Sequence, residues 1–178
     1  MELKNSKRLQ DVMCMGDDIL SSRRFSKAKT VPHHNQHCNI ASHSVETAEY
    51  ALDMARWLGR HKISVTEADV VRASLLHDIG MTEDEVFLSP SRRKAFSHPR
   101  ESARIAREEF GANETQVDAI RRHMWPIGIA IPHHLTGWVV MAADKYCSIC
   151  EVKREAGEIA LYIRDEARRR IRCHRRMP

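Results

Sequence analysis

The sequence has no apolar run near the roughly 18 residues needed to span a bilayer. Its opening residues, MELKNSKRLQ, lack the apolar core of a signal peptide. These absences predict a cytoplasmic protein with no membrane segment. Glycine and proline are scarce, at seven and six residues, and no stretch of five or more alternates with period two and β-branched enrichment, which argues against strands. Internal repeats and low-complexity linkers are also missing. The five cysteines are an odd number without an export signal, which argues against a disulfide framework. Cys147 and Cys150 form a C-x-x-C without a βαβ context, and one-turn spacing on a helix reads more simply as packing than as a redox pair.

What is present is ordinary globular material, 42% apolar and 30% charged. At about 150 residues per domain, 178 residues predict one domain spanning 1–178, with a core long enough to bury most apolar side chains. Apolar residues recur at three- and four-residue spacing almost throughout, so the expected fold class is all-α, a compact helical bundle. Helices are expected over about 4–20, 43–58, 65–79, 98–110, 113–126, 135–152 and 156–173. Segments 21–41, 82–97 and 126–134 read as irregular and as candidates for the working surface. Thr66 and Asp69 resemble a capping pair, while Gly59, Gly80 and Gly111 suit helix ends. From Arg168 to Arg176 six arginines occur without an acid, which suits an anionic partner such as a phosphate ester or nucleic acid, or else a solvated helix tail.

Eleven histidines are the unusual figure. His77-Asp78 follows the apolar run Leu75-Leu76, and Asp144 follows Val139-Val140-Met141-Ala142-Ala143. A carboxylate at such a place is at least partly buried, and a buried carboxylate needs a cation. A metal ion serves several such groups at once. His43 at the start of an amphipathic stretch, His77, His98 before Pro99 and His123 before Pro126 supply imidazoles. Mixed imidazole and carboxylate donors suit Fe, Mn, Co, Ni or Zn. Each histidine alone is as readily a helix cap or a surface group.

Taken together, His43-Ser44-Val45, His77-Asp78-Ile79-Gly80 and Ala143-Asp144-Lys145 resemble the HD-domain superfamily of metal-dependent phosphohydrolases. The resemblance covers roughly residues 33–151, and His123-Met124-Trp125-Pro126 and Asp144-Lys145-Tyr146-Cys147-Ser148 also resemble small stand-alone bacterial members. It implies an all-α fold in which His43, His77, Asp78 and Asp144 hold one divalent transition-metal ion. His98 and His123 resemble the additional ligands of two-metal members, with Asp78 shared between the ions. The implied activity is hydrolysis of a nucleotide or other small phosphate ester by a metal-bridging hydroxide. Asp78 and Lys145 would be the catalytic groups, and Arg92, Arg93 and Lys145, with Lys94 beside them, would bind phosphate. One departure is Met81, where some two-metal members carry lysine after the His-Asp-Ile-Gly run. The histidine-rich segment His33-His34-Asn35-Gln36-His37 leaves open which of its side chains approach the site. His34 and His37 read as loop or supporting groups.

Two other readings compete. The same donors could hold two irons that react with dioxygen, or the basic end could bind nucleic acid without catalysis.

Overall fold

Several helices begin or end on residues whose chemistry suits the position. The computed structural model describes residues 7–33, 38–87 and 91–174. In chain order these form α1 (Lys7–Met15), α2 (Asp17–Leu20), α3 (Arg23–Ala28), α4 (Ile40–Arg60), α5 (Glu67–Leu76), a 3-10 turn (Ile79–Thr82), α6 (Asp84–Phe87), α7 (Ser91–Phe110), α8 (Glu114–Arg122) and α9 (Leu135–His174). Among the described residues there is no strand, only an isolated bridge between Pro32 and Asn39. No described helix is long and apolar enough to cross a membrane. The all-α expectation therefore holds.

Asn39 begins α4 with a reciprocal cap. Its side chain accepts from the Ser42 N–H at 2.9 Å, and its own N–H donates to Ser42 Oγ at 3.2 Å. Asn113 caps α8 by accepting from the Gln116 N–H at 2.9 Å. Gly111 takes φ +61° after α7, a conformation that glycine adopts without steric cost, and lets the Ala112 N–H reach Ala106 O at 3.0 Å. Asp69 does not cap α5. Its Oδ1 instead accepts from Asn113 Nδ2 and Gln116 Nε2, both at 2.7 Å, and so ties the start of α8 to α5.

Helix α4 packs on α5 and α9, α8 packs on α5, α7 and α9, and α7 lies against the 3-10 turn. Ile40, Leu52, Leu75, Ile79, Ile105 and Ile120 are fully buried at these contacts, each worth about 1.5–3 kcal/mol relative to exposure. Met81, directly after the His77-Asp78-Ile79-Gly80 run, also packs into this core as an apolar anchor.

Several boundaries differ from expectation. The N-terminal helix is divided at Gly16, where a Cβ would come within 2.2 Å of Leu75 Cδ1. Segment 21–41 contains α3, begun by Ser22 accepting from the Phe25 N–H at 3.0 Å. The expected separate helices over 135–152 and 156–173 are one continuous α9. No proline separates them, and the exposed Gly157 costs only about 1 kcal/mol of helix propensity. Segment 82–97 is largely helical, because α7 starts at Ser91 and carries Pro99 inside it. Arg92-Arg93-Lys94-Ala95 are good helix formers, which favours the earlier start.

Gly80 is required by close approach. A Cβ there would meet Ser102 N at 2.6 Å and His98 O at 2.8 Å, both backbone atoms of α7. Its N–H donates to Ser102 Oγ at 2.9 Å. Gly80→Ala is therefore expected to destabilise the protein by about 2–3 kcal/mol through overpacking, seen as a lower denaturant midpoint. An unchanged midpoint would show that α7 shifts freely at this contact.

Candidate metal centre

The cluster is assembled from the ends and inward faces of five segments. His43 stands on the first turn of α4, and His77 is the residue that closes α5. Asp78 follows at the entry to the 3-10 turn. His98 lies on α7, His123 closes α8, and Asp144 lies on α9. All six expected ligands meet here, each with a side chain no more than 6% exposed.

The ring orientations follow from local hydrogen bonds. His77 Nδ1 donates to Ser74 O and His123 Nδ1 to Ile120 O, each at 2.7 Å. His43 Nδ1 donates to Glu151 Oε1 at 2.8 Å. In these three rings Nε2 is thereby left to face the cluster, the orientation a ligating histidine needs.

The facing atoms crowd around two carboxylates. Asp78 Oδ1 lies 3.2 Å from His98 Nε2 and 3.4 Å from His123 Nε2, while its Oδ2 lies 3.3 Å from His77 Nε2. Asp144 Oδ1 lies 3.2 Å from His43 Nε2 and 3.7 Å from His77 Nε2. His98 Nε2 and His123 Nε2 are 3.1 Å apart. Yet Asp78 Oδ1 and His77 Nε2 are buried without a hydrogen bond of acceptable geometry. Such atoms are near one another but aimed at a shared centre rather than along a bond. An unsatisfied buried carboxylate oxygen is costly, and a metal ion at that centre would satisfy it. The sets His43–His77–Asp144 and His77–Asp78–His123 each bring three donor atoms within 4.8 Å of one another. Nitrogen and oxygen donors together fit a divalent first-row ion.

A family model of the HD domain matches residues 40–172, about three quarters of the chain. The chain belongs to the HD-domain family. HD domains bind divalent metals, and members are mostly metal-dependent hydrolases of the phosphohydrolase class. Searches among curated proteins and solved structures returned no significant match.

The charges of the HD cluster are tightly balanced. Burial alone would raise the Asp78 carboxyl, but the His77 charge and the His123 and His33 imidazoles close beside it hold it well below the usual range. Asp144 is held down in the same way by His43, His77 and Lys145. Burial opposes the charge on His77, yet Asp78 and Asp144 carry it up to about 10. His123 goes the other way, to about 4, because burial and the charges on His77 and His98 outweigh Asp78. His123 is thus neutral and ready to ligate at pH 7, whereas His77 must first lose a proton.

Lys145 reaches the cluster, with Nζ 2.6 Å from Asp144 Oδ2 and 3.3 Å from His123 O. At 28% side-chain exposure it is far more open than the acidic partner it touches, at 6%. Arg92, Arg93 and Lys94 are on the first turn of α7 rather than on a loop, and their side chains lie outside the described residues. His34 and His37 also lie outside them. Cys147 is fully buried and its thiol is pushed up to about 12 by that burial, which agrees with a packing role.

Two groups at the cluster were not among the expected ligands. His33 Nε2 lies 3.0 Å from Asp78 Oδ2, and Glu151 contacts His33, His43 and Cys38. Glu151 had a readable signal, since it stands seven residues after Asp144 on the same helix face. His33 sits in a histidine-rich segment where spacing does not choose among neighbours.

A cavity of about 400 Å³ lined by Phe96, Arg100, Arg121 and Trp125, among others, lies beside α7 and α8. Phe96 and Arg100 stand two residues either side of His98, roughly 160° around the helix from it. The cavity is therefore on the back of α7, and none of the six HD ligands lines it.

Proposed function

We propose that this HD protein is a phosphohydrolase acting on a nucleotide or other small phosphate ester with two divalent transition-metal ions. His43, His77 and Asp144 would hold one ion and His98 and His123 the other, with Asp78 shared. The observation that carries this reading is the placement of Asp78, which turns Oδ1 toward His98 and His123 and Oδ2 toward His77. Bound there, Fe, Mn, Co, Ni or Zn would lower the pKa of water and neutralise phosphate oxygens. The chain's own part is to fix the imidazoles through Ser74, Ile120 and Glu151. It also keeps the carboxylates ionised and sets the Lys145 cation beside Asp144 for a phosphate oxygen to meet. Arg92 and Arg93, on the first turn of α7, would add a clamp on the phosphate.

The test is a screen of phosphomonoesters and phosphodiesters with protein loaded separately with each metal. Release of phosphate or cleavage of a diester is expected. Lys145→Met is expected to retain its metal and lose about 100-fold in kcat, the loss typical of one electrostatic donor. Arg93→Ala should raise KM with little change in kcat. Oxygen uptake by an iron-loaded protein with no hydrolysis under any metal would overturn the proposal in favour of oxidative chemistry.

A further inference from the structure

His33 lies outside the segment that matches the HD family, yet its side chain is only 3% exposed and faces the cluster. The chain holds it there through backbone bonds that close the segment ahead of α4. The His33 N–H donates to Cys38 O at 2.9 Å, and the Ile40 N–H donates to Val31 O at 3.0 Å. Its ring stacks on that of His43, with centroids 3.9 Å apart and planes 24° from parallel.

The two stacked rings are presented alike. Glu151, with a side chain 1% exposed, sets Oε1 2.8 Å from His43 Nδ1 and Oε2 3.2 Å from His33 Nδ1. One carboxylate thus takes an N–H from each imidazole with a separate oxygen. Nε2 of His43 then faces Asp144 at 3.2 Å, and Nε2 of His33 faces Asp78 at 3.0 Å. Donor atoms of His33, His43 and Asp78 all fall within 4.8 Å of one another. A carboxylate behind Nδ1, with Nε2 aimed into a set of donors, is how proteins orient a metal-bound histidine.

We infer that His33 is a seventh protein ligand of the metal centre, added to the ion held by His43, and that Glu151 is the positioning residue for both histidines. The inference rests on the two-metal reading but goes beyond the six HD positions. With His33, His43, His77, Asp78 and Asp144 available to one ion, that ion would have little coordination left for substrate. The ion beside His98 and His123 would be the more open of the two.

The test is Co(II) titration into the metal-stripped full chain, followed by visible absorption and by chelator competition. X-ray absorption of the loaded protein counts imidazoles. Five proteins are compared: wild type, His33→Gln, Glu151→Gln, Cys38→Ser and, as a surface control, His133→Ala. Circular dichroism checks the fold of each, and His33→Gln keeps bulk and a hydrogen-bond donor in the segment before α4.

His33→Gln is expected to lower the imidazole count by one per chain, change the Co(II) spectrum and weaken one site. Glu151→Gln is expected to keep the imidazole count and weaken binding by about 10–100-fold, the usual cost of losing an orienting carboxylate. His133→Ala should match wild type. Wild-type affinity and spectrum in His33→Gln would overturn the inference while leaving the six-ligand site standing. Tighter binding in that variant would also overturn it, since His33 would then be only a cation competing for Asp78. A third ion lost in Cys38→Ser would move His33 and Glu151 to a separate site with Cys38 and overturn it too. A wild type that binds no Co(II) would end the two-metal reading and this inference with it.

Discussion

Asp78→Asn is expected to purify almost free of transition metal, and the wild type to carry about two ions per chain, as the proposed shared-carboxylate site requires. Asp78 contacts both halves of the cluster, with His98 and His123 on one oxygen and His77 and His33 on the other. Asparagine keeps the shape but replaces one oxygen by an N–H donor and removes the charge. Whichever way the amide turns, one half of the site then faces a donor instead of a ligand. Substitution at His98 or Asp144 should be milder, because each touches one half only, and should leave about one ion per chain. Metal analysis by mass spectrometry reads all three variants. Removing one partner from a buried charged network costs about 3–5 kcal/mol, so the fold of Asp78→Asn must be checked alongside. A folded Asp78→Asn protein with both ions would show that Asp78 is not shared, and the two-metal assignment would fall.

The fold class was legible because apolar spacing and helix-ending glycines are local signals. Gly111 at the end of α7 and Asn113 at the start of α8 are such cases. The burial of His77, Asp78 and Asp144 was legible because they interrupt or end apolar runs, whereas it was the family resemblance that joined His43, His98 and His123 to them. The start of α7 was misplaced because Pro99 resembles a first-turn proline, although the good helix formers Arg92-Arg93-Lys94-Ala95 before it favour the earlier start. Glu151 and His33 escaped for different reasons. Glu151 shares a helix face with Asp144, but only its contacts with His33, His43 and Cys38 across the fold reveal its role. His33 itself is placed by its backbone bond to Cys38 O and by the Ile40 N–H bond to Val31 O, which pair residues across the segment. The basic end was legible as charge but not as function, and its arginines lie beyond the side chains described.

Stripping the metal is expected to lower the melting temperature by about 8–16 °C, and the loss should depend on pH. An ion present at about a thousandfold excess over its Kd stabilises the folded state by about 4 kcal/mol. In a protein of this size each kcal/mol moves the melting point by about 2–4 °C. The sign of the pH effect follows from His77, whose pKa without metal is raised to about 10 by Asp78 and Asp144. It holds a proton throughout the physiological range, and that proton must leave for Nε2 to ligate. Asp78 and Asp144 are already ionised, and His123, lowered to about 4, is already neutral. Metal binding therefore releases protons and strengthens as pH rises. Each proton released adds about 1.4 kcal/mol of metal stabilisation per pH unit. The gap in melting temperature between loaded and stripped protein should widen by about 3–6 °C from pH 6 to pH 7 for one proton, and again from pH 7 to pH 8. Calorimetry in buffers of different ionisation enthalpy counts the protons directly. A gap that stays constant over this range, with no proton release, would mean that the imidazoles are neutral before metal arrives. The carboxylates would then be balanced by Lys145 rather than by His77.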